Sequence, residues 1–461
     1  MIFEDSTIWT EVKTIIGSEM VRVLYDYKGT IHTEKEDFPV WDLSSIETTR
    51  DYLTRVAESG KVIFRIGLGD YVRRFYPYRN NLEFTVKRYP LTESGENSNK
   101  KSCTVFRYKA IFNPANNPPV GGSELENLAT EDLNISEIVE VHLEIHNRSM
   151  EPLRIKTTGG SYTDKTVTEL VKGLLAGESM KVLVDGKAAV EAFDMVTPDN
   201  SEKINCAVIP HGTRMTSIPT YVQETVGGIY NGGIGTFFQK YRGKNTWFVY
   251  PTYDVRRFDG KDRKAIFYGV PQDKLPQLDK SYKEDGNVLK VVASAQKRYT
   301  DSAEINYMNE GSGYRMADAR AFMKKPVEIK NGVPMASRAR LNHEVSIKDR
   351  SDGLNYASNE APSSNPFSQR SKVLARSLGQ IDLVWENADP ELIYPGMPCK
   401  YIYMSHDKAI SLKGVVLFVH SFTARVERQS TTAFRMTCRI TIACEAQSKL
   451  PDLPLKEPTG N

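Results

Sequence analysis

Residues 139–146 read VEVHLEIH, which sets Glu140, His142, Glu144 and His146 at every second position, a row of potential metal ligands. In a strand these four share one face and Val139, Val141, Leu143 and Ile145 share the other, as any half-buried strand requires. Histidines four apart on a strand lie about 13 Å from each other at about 3.3 Å per residue, too far for one ion. A solvent-facing row is therefore expected, with no metal.

The other chemistry-bearing patterns fail at identifiable positions. His343 and Glu344 begin a helical zinc motif, but Ile347 stands where the second histidine belongs. The glycine cluster at 227–235 continues as Ile234 and Gly235 after Gly233, where a phosphate-binding loop needs Lys and Ser or Thr. No nucleophile elbow of the form G-x-S-x-G occurs. A glycosidase carboxylate pair is assembled by the fold and leaves little local trace, and 58 acidic residues supply too many candidates to select one. No residue is assigned a catalytic, cofactor-binding or metal-binding role, and an enzyme is not expected.

One segment does stand out. Residues 71–79, YVRRFYPYR, interleave Arg73, Arg74 and Arg79 with Tyr71, Phe75, Tyr76 and Tyr78. Such a mixture can stack and neutralise single-stranded nucleic acid. It equally suits a protein interface, where Tyr and Arg are favoured anchors. The net charge of +3 provides no surrounding basic field, so an interface is the favoured reading and no specific nucleic acid partner is expected.

The elements that must carry these residues are mostly strands. A chain of 461 residues is long enough for roughly three domains. Cys103, Cys206, Cys399, Cys438 and Cys444 are scattered without a C-x-x-C spacing and are expected to be reduced core residues. The N-terminus lacks a signal-peptide pattern, and no apolar run is long enough to span a bilayer, so a soluble chain made in a cytoplasm is expected. Apolar residues make up 40% and aromatics 10%, and their β-branched and aromatic runs favour sheet.

Along the chain, Ser44 and Glu47 suggest a capping box before a helix with Tyr52, Leu53 and Val56 on one side. Strands are expected over 60–68, 80–89 and 101–112. A Pro, Gly, Asn and acid-rich loop follows and marks a module boundary. The middle region opens with a strand through VEVHLEIH. Thr166 and Glu169 form a second capping box, with Val167, Leu170, Val171 and Leu174 at helical spacing and Gly177 as the stop. Another helix is expected through IPTYVQETV to Gly227 and Gly228, then strands in NTWFVYP, KAIFYGV and NVLKVVAS. Residues 299–366 read as an arm or connector, FSQRSKVLARSLG as a helix, QIDLVWEN as a strand, and 448–461 as an extended tail. In PELIYPGMPCKYIYMSHDKAISLKGVVLFVHSF, Pro395 and Pro398 belong in a turn or at a strand's first residue. Two paired strands of a small barrel or sandwich are expected after them.

Taken in order, the segments FRIGLGDYVRRFYPYRNNLEFTV, KTVTELVKGLL, RSKVLARSLGQIDLVWENADPELIYPGMPCKYIY and KGVVLFVHSF resemble the baseplate hub protein of contractile-tailed bacteriophages and the related spike hubs of type VI secretion. The resemblance spans most of the chain, apart from about 299–366. It implies a β-rich α+β, multidomain fold with two tube-like β-barrel domains and a mixed α/β middle region. Residues 1–115 would hold the first barrel, 116–298 the middle module, 299–366 the arm, and 367–447 part of the second barrel, ahead of the 448–461 tail.

In that family three chains form a ring whose six barrels imitate one layer of the tail tube. A homotrimer is thereby implied, adapting a threefold central spike to a sixfold tail tube in the baseplate of a virion. The implied partners are the central spike protein and the tail tube protein, with baseplate wedge proteins and the tape measure protein as further contacts. No stable membrane insertion is implied. Two other readings stay open: a wedge or tube-layer component of the same particle, and a β-rich carbohydrate-acting hydrolase.

Overall fold

The computed structural model describes residues 7–17, 24–91, 103–117, 138–273, 280–299, 378–405, 408–427 and 432–445, with short pieces at 313–318, 329–330, 333–334, 341–347, 367, 371 and 374–375. The expected 299–366 arm lies largely outside the described residues, and the C-terminal tail lies wholly outside them. Of the expected helix over 367–379, Phe367, Ser371, Leu374 and Ala375 are described and helical, whereas Leu378 and Gly379 already belong to a strand.

Fourteen strands join in one mixed sheet. They are β1 (Leu24–His32), β2 (Asp37–Pro39), β3 (Asp42–Asp51), β4 (Ser59–Gly67), β5 (Leu82–Leu91), β6 (Thr104–Phe112) and β7 (Ile138–Asn147), then β8 (Lys264–Gly269), β9 (Tyr282–Asp285) and β10 (Val288–Tyr299). The last four are β11 (Leu378–Glu386), β12 (Pro398–Ser405), β13 (Lys408–Glu427) and β14 (Thr432–Glu445).

The pairings return on themselves twice. One circuit runs β13-β3-β4-β7-β6-β5-β1-β14 and closes through the β13–β14 hairpin. The other runs β8-β12-β13-β14-β11-β10 and closes because β10 pairs with β8 in parallel. The long β13–β14 hairpin belongs to both. Its Gly414–Val416 end pairs with β14 opposite Cys444, Ala443 and Ile442, while Phe418–Phe422 reaches β3. Alternation explains the cores: in β7, Val139, Val141, Leu143 and Ile145 are buried, while Glu140, His142, Glu144 and His146 point the other way.

The expected helix after Ser44 is absent, because residues Asp42–Asp51 form β3. Its register against β4 shifts between Leu43 and Ser45. That shift places buried Leu43, Ile46 and Arg50 at intervals of three and four, the spacing of a helical stripe. Beyond the shift the face alternates normally through Ile46, Thr48, Arg50 and Tyr52.

The Thr166 capping box forms as expected, with Glu169 N–H donating to Thr166 Oγ1 at 3.2 Å and Thr166 N–H to Glu169 Oε2 at 2.9 Å. The helical stretch passes through Gly177, which keeps helical dihedrals, and ends at Ser179. By contrast Gly227, at φ 152°, does end the 218–226 helix. These helices pack Leu170, Val171, Leu175, Ile218 and Val222 against Phe238 and Trp247 of the Gly235–Tyr241 and Lys244–Tyr250 hairpin, in a second core. A helix over Thr7–Ile16, not foreseen in the sequence, buries Ile8, Val12 and Ile15 on Tyr268, Val270 and Val292. Cys399, Cys438 and Cys444 are buried, but Cys206 is exposed and Cys103 half-buried, and all five are free thiols.

Candidate functional site: a buried charge network and an aromatic end face

Strand β3 aims Arg50 into the first circuit, where the residue is 3% exposed. An isolated guanidinium there is untenable, and three acceptors surround it. Nε meets Glu58 Oε2 at 2.6 Å, Nη1 donates to the Pro390 carbonyl at 2.8 Å, and Nη2 meets Glu391 Oε1 at 2.9 Å. Tyr108 OH donates to the other Glu58 oxygen at 3.2 Å. Burial alone would lower the Arg50 pKa, but Glu58 and Glu391 outweigh it and the group stays ionised.

Pro390 and Glu391 lie in a short turn between β11 and β12, two strands of the second circuit. Asp389 starts that turn by accepting the Glu391 N–H at 3.2 Å, and it faces Arg88 of β5 at 3.7 Å. Arg88 in turn lies 4.8 Å from the Tyr25 ring. Burial raises the Asp389 carboxyl above its usual range, against the pull of Arg88, and burial likewise raises the Tyr108 hydroxyl. The network thus plugs a second-circuit loop into the interior of the first.

Its chemistry is structural. Both glutamates are spent on Arg50, and the space between Arg50, Glu391 and Met436 is a cavity of about 30 Å³. Room for a water is far below the roughly 300 Å³ that small-molecule sites occupy. No cluster of His, Cys, Asp or Glu suited to a metal occurs among the described residues, and no helix among them is long and apolar enough to cross a membrane.

The 71–79 segment leaves β4 at Gly67 as one helical stretch, with a π-helical turn over Tyr71–Phe75 and a 3-10 turn over Tyr76–Tyr78. Its residues divide by face. Tyr71 and Phe75 are buried, stacked 5.6 Å apart, and Phe75 meets Phe112 at 5.7 Å. Arg74 is held by both carboxylate oxygens of Glu36 at 2.9 Å, by Asp70 at 3.2 Å, and over the Phe38 ring at 4.7 Å. Arg79 stacks on Tyr76 at 4.1 Å and donates to the Tyr76 carbonyl at 2.8 Å. Arg73 is exposed, while Tyr76, Tyr78 and Arg79 are half-buried.

Beside this stretch lies a residue that sequence reasoning missed. Trp41 is 56% exposed and lies against Gly67, where an added Cβ would come within 3.0 Å of its ring. Ile138, opposite Gly67 in β7, is 54% exposed. A lone Trp between Val40 and Asp42, just ahead of a strand, was the available signal.

No protein-family model and no curated protein sequence matches the chain. Among solved structures it is similar to two tail proteins and to a chain of the PdpA–VgrG complex. A 43 kDa tail protein of prophage MuSo2 from Shewanella oneidensis is 8% identical, with 90% of this chain and 96% of that chain covered and a TM-score of 0.43. A tail protein from Neisseria meningitidis MC58 is 10% identical, with the same coverage and a TM-score of 0.41. A chain of the PdpA–VgrG complex is 10% identical, with 95% of this chain and 68% of that chain covered and a TM-score of 0.40.

Proposed function

We propose that the chain is a structural tail protein, the baseplate hub of a contractile tail, and that it acts as a trimeric adaptor between a threefold spike and a sixfold tube. The observation that carries this reading is the pair of closed strand circuits sharing the β13–β14 hairpin. We read each circuit as one tube-like barrel. A ring of three such chains presents six barrels, the number a hexameric tube layer needs, and so starts tube assembly. A tube-layer protein needs only one barrel per chain.

The buried network suits the same role. It fixes one barrel against the other through Arg50, Glu391, Arg88 and Asp389, so the two move as a unit under load. The end face with Trp41, Arg73, Tyr76, Tyr78 and Arg79 is the proposed contact with neighbouring chains, and Tyr71, Phe75 and Arg74 hold it in shape. The spike and tube proteins are the expected partners, and the tail of a virion is the expected location. Light scattering coupled to size exclusion tests the reading. A mass about three times the 52.0 kDa chain, stable on dilution, is expected. A monomer at every concentration contradicts it.

A further inference from the structure

A cavity of about 440 Å³ opens where β6 meets the 183–188 hairpin and the 235–250 hairpin. That volume lies in the range of small-ligand sites, about 300–1,000 Å³. Five cations line it, Arg50, Arg107, Arg148, Lys187 and Lys240, against the carboxylates Glu58, Asp185 and Glu191.

How these charges are used decides what the cavity takes. Arg50 and Glu58 satisfy each other at its floor. Asp185 and Gly186 form a tight turn with φ of 52° and 75°, as two-residue hairpins require. This turn presents the Asp185 carboxylate to both Arg107 and Arg148, and Arg148 is held on its other side by Glu83 at 2.9 Å. Glu191 is turned to the backbone N–H of Asn245 at 2.8 Å.

Lys240 has no such partner. Its Nζ donates to the Val105 carbonyl at 2.7 Å and sits 5.6 Å from the Phe106 ring, with no carboxylate at ion-pair distance among the described residues. Two of its three N–H groups are left for a ligand. Burial lowers its pKa, with Glu391 and Glu191 opposing this and Arg107 and Arg88 adding to the lowering. Lys187, exposed at the mouth, also lacks a carboxylate partner among the described residues.

We infer that this cavity binds a compact dianion, a phosphate or a small dicarboxylate, between Lys240 and Lys187, with Arg107 and Arg148 at its rim. The ligand ties β6 of the first circuit to the two hairpins of the middle region. The inference stands on these side chains alone and does not depend on the tail reading.

The test is calorimetric titration of the full chain with inorganic phosphate and, separately, with succinate, against sodium chloride at matched ionic strength. Saturable binding of at least one dianion is expected, weakened about tenfold or more by Lys240→Met and several-fold by Lys187→Ala. Phosphate alone binding identifies a phosphate site, and succinate alone a carboxylate site. Lys240→Met keeps an unbranched apolar side chain and removes the charge. Should that variant misfold, the exposed Lys187→Ala carries the test. Absence of saturable heat with both dianions, or unchanged affinity in the variants that fold, overturns the inference.

Discussion

Arg50 and Glu391 are 341 positions apart in sequence and meet at 2.9 Å inside the first circuit. Nothing local brings them together. The contact exists because β3 faces inward at Arg50 and because the β11–β12 turn enters the same interior. Removing Arg50 leaves Glu58 and Glu391 inside without their counter-charge. Arg50→Met should therefore cost about 3–5 kcal/mol in urea unfolding. The triple variant Arg50→Met, Glu58→Gln, Glu391→Gln should recover most of that loss. Equal destabilisation of single and triple variants would falsify the view that the cost lies in stranded charge.

Gly396 supplies a second check on the join. Its φ is 64°, and a Cβ there would fall 2.1 Å from the Tyr250 ring, whose hydroxyl is fixed to the Tyr52 carbonyl at 2.9 Å. Gly396→Ala meets both a strained backbone, about 1–3 kcal/mol, and an overpacked core of similar cost. A clear drop in the urea midpoint is expected. Unchanged stability would mean that the Tyr250 ring yields freely.

The proposed contact face allows assembly and folding to be tested separately. Arg73→Glu and Trp41→Ala change exposed side chains, so the melting temperature should stay within a few degrees while trimer formation falls. Arg74→Glu behaves differently, because it sets a carboxylate against Glu36 and Asp70. It should lower the melting temperature as well. Normal assembly by both Arg73→Glu and Trp41→Ala would remove this face from the interface.

Acid should destabilise the fold through two histidines. Burial lowers the pKa of His146 from 6.5, with Arg154 adding to the effect and Glu144 opposing it; burial also lowers His420, with Glu47 opposing and Arg439 adding. A depressed folded value means the unfolded chain binds more protons as pH falls. The stability is present above 6.5 and is lost as pH drops through the folded values. The double variant His146→Gln, His420→Gln should lose less melting temperature than the parent between about pH 7 and about pH 5. Identical pH profiles would place the acid sensitivity elsewhere.

Much of the architecture was readable before the structure. The Thr166 capping box, the alternation from Val139 to Ile145 and the glycine stop at Gly227 are local signals, and each acts locally in the fold. The proline ramp also holds, because Pro398 is the first residue of β12 and pairs opposite Val415. What misled was a local signal with two meanings: the register shift in β3 gave strand residues a helical spacing. What stayed hidden was non-local. Arg50, Arg88, Glu391 and Asp389 look like surface charges in sequence, and only closure of the sheet brings them inside. Within the 71–79 segment, composition could not divide buried Tyr71 and Phe75 from exposed Arg73.

The central claim is that each chain contributes two barrels to a ring of three. Single-particle cryo-electron microscopy of the purified assembly tests it most directly. The account predicts an end-on view with six similar lobes in a ring, two of them traceable to each chain and joined through the β13–β14 hairpin. A ring with one lobe per chain, or isolated chains without a ring, would contradict it.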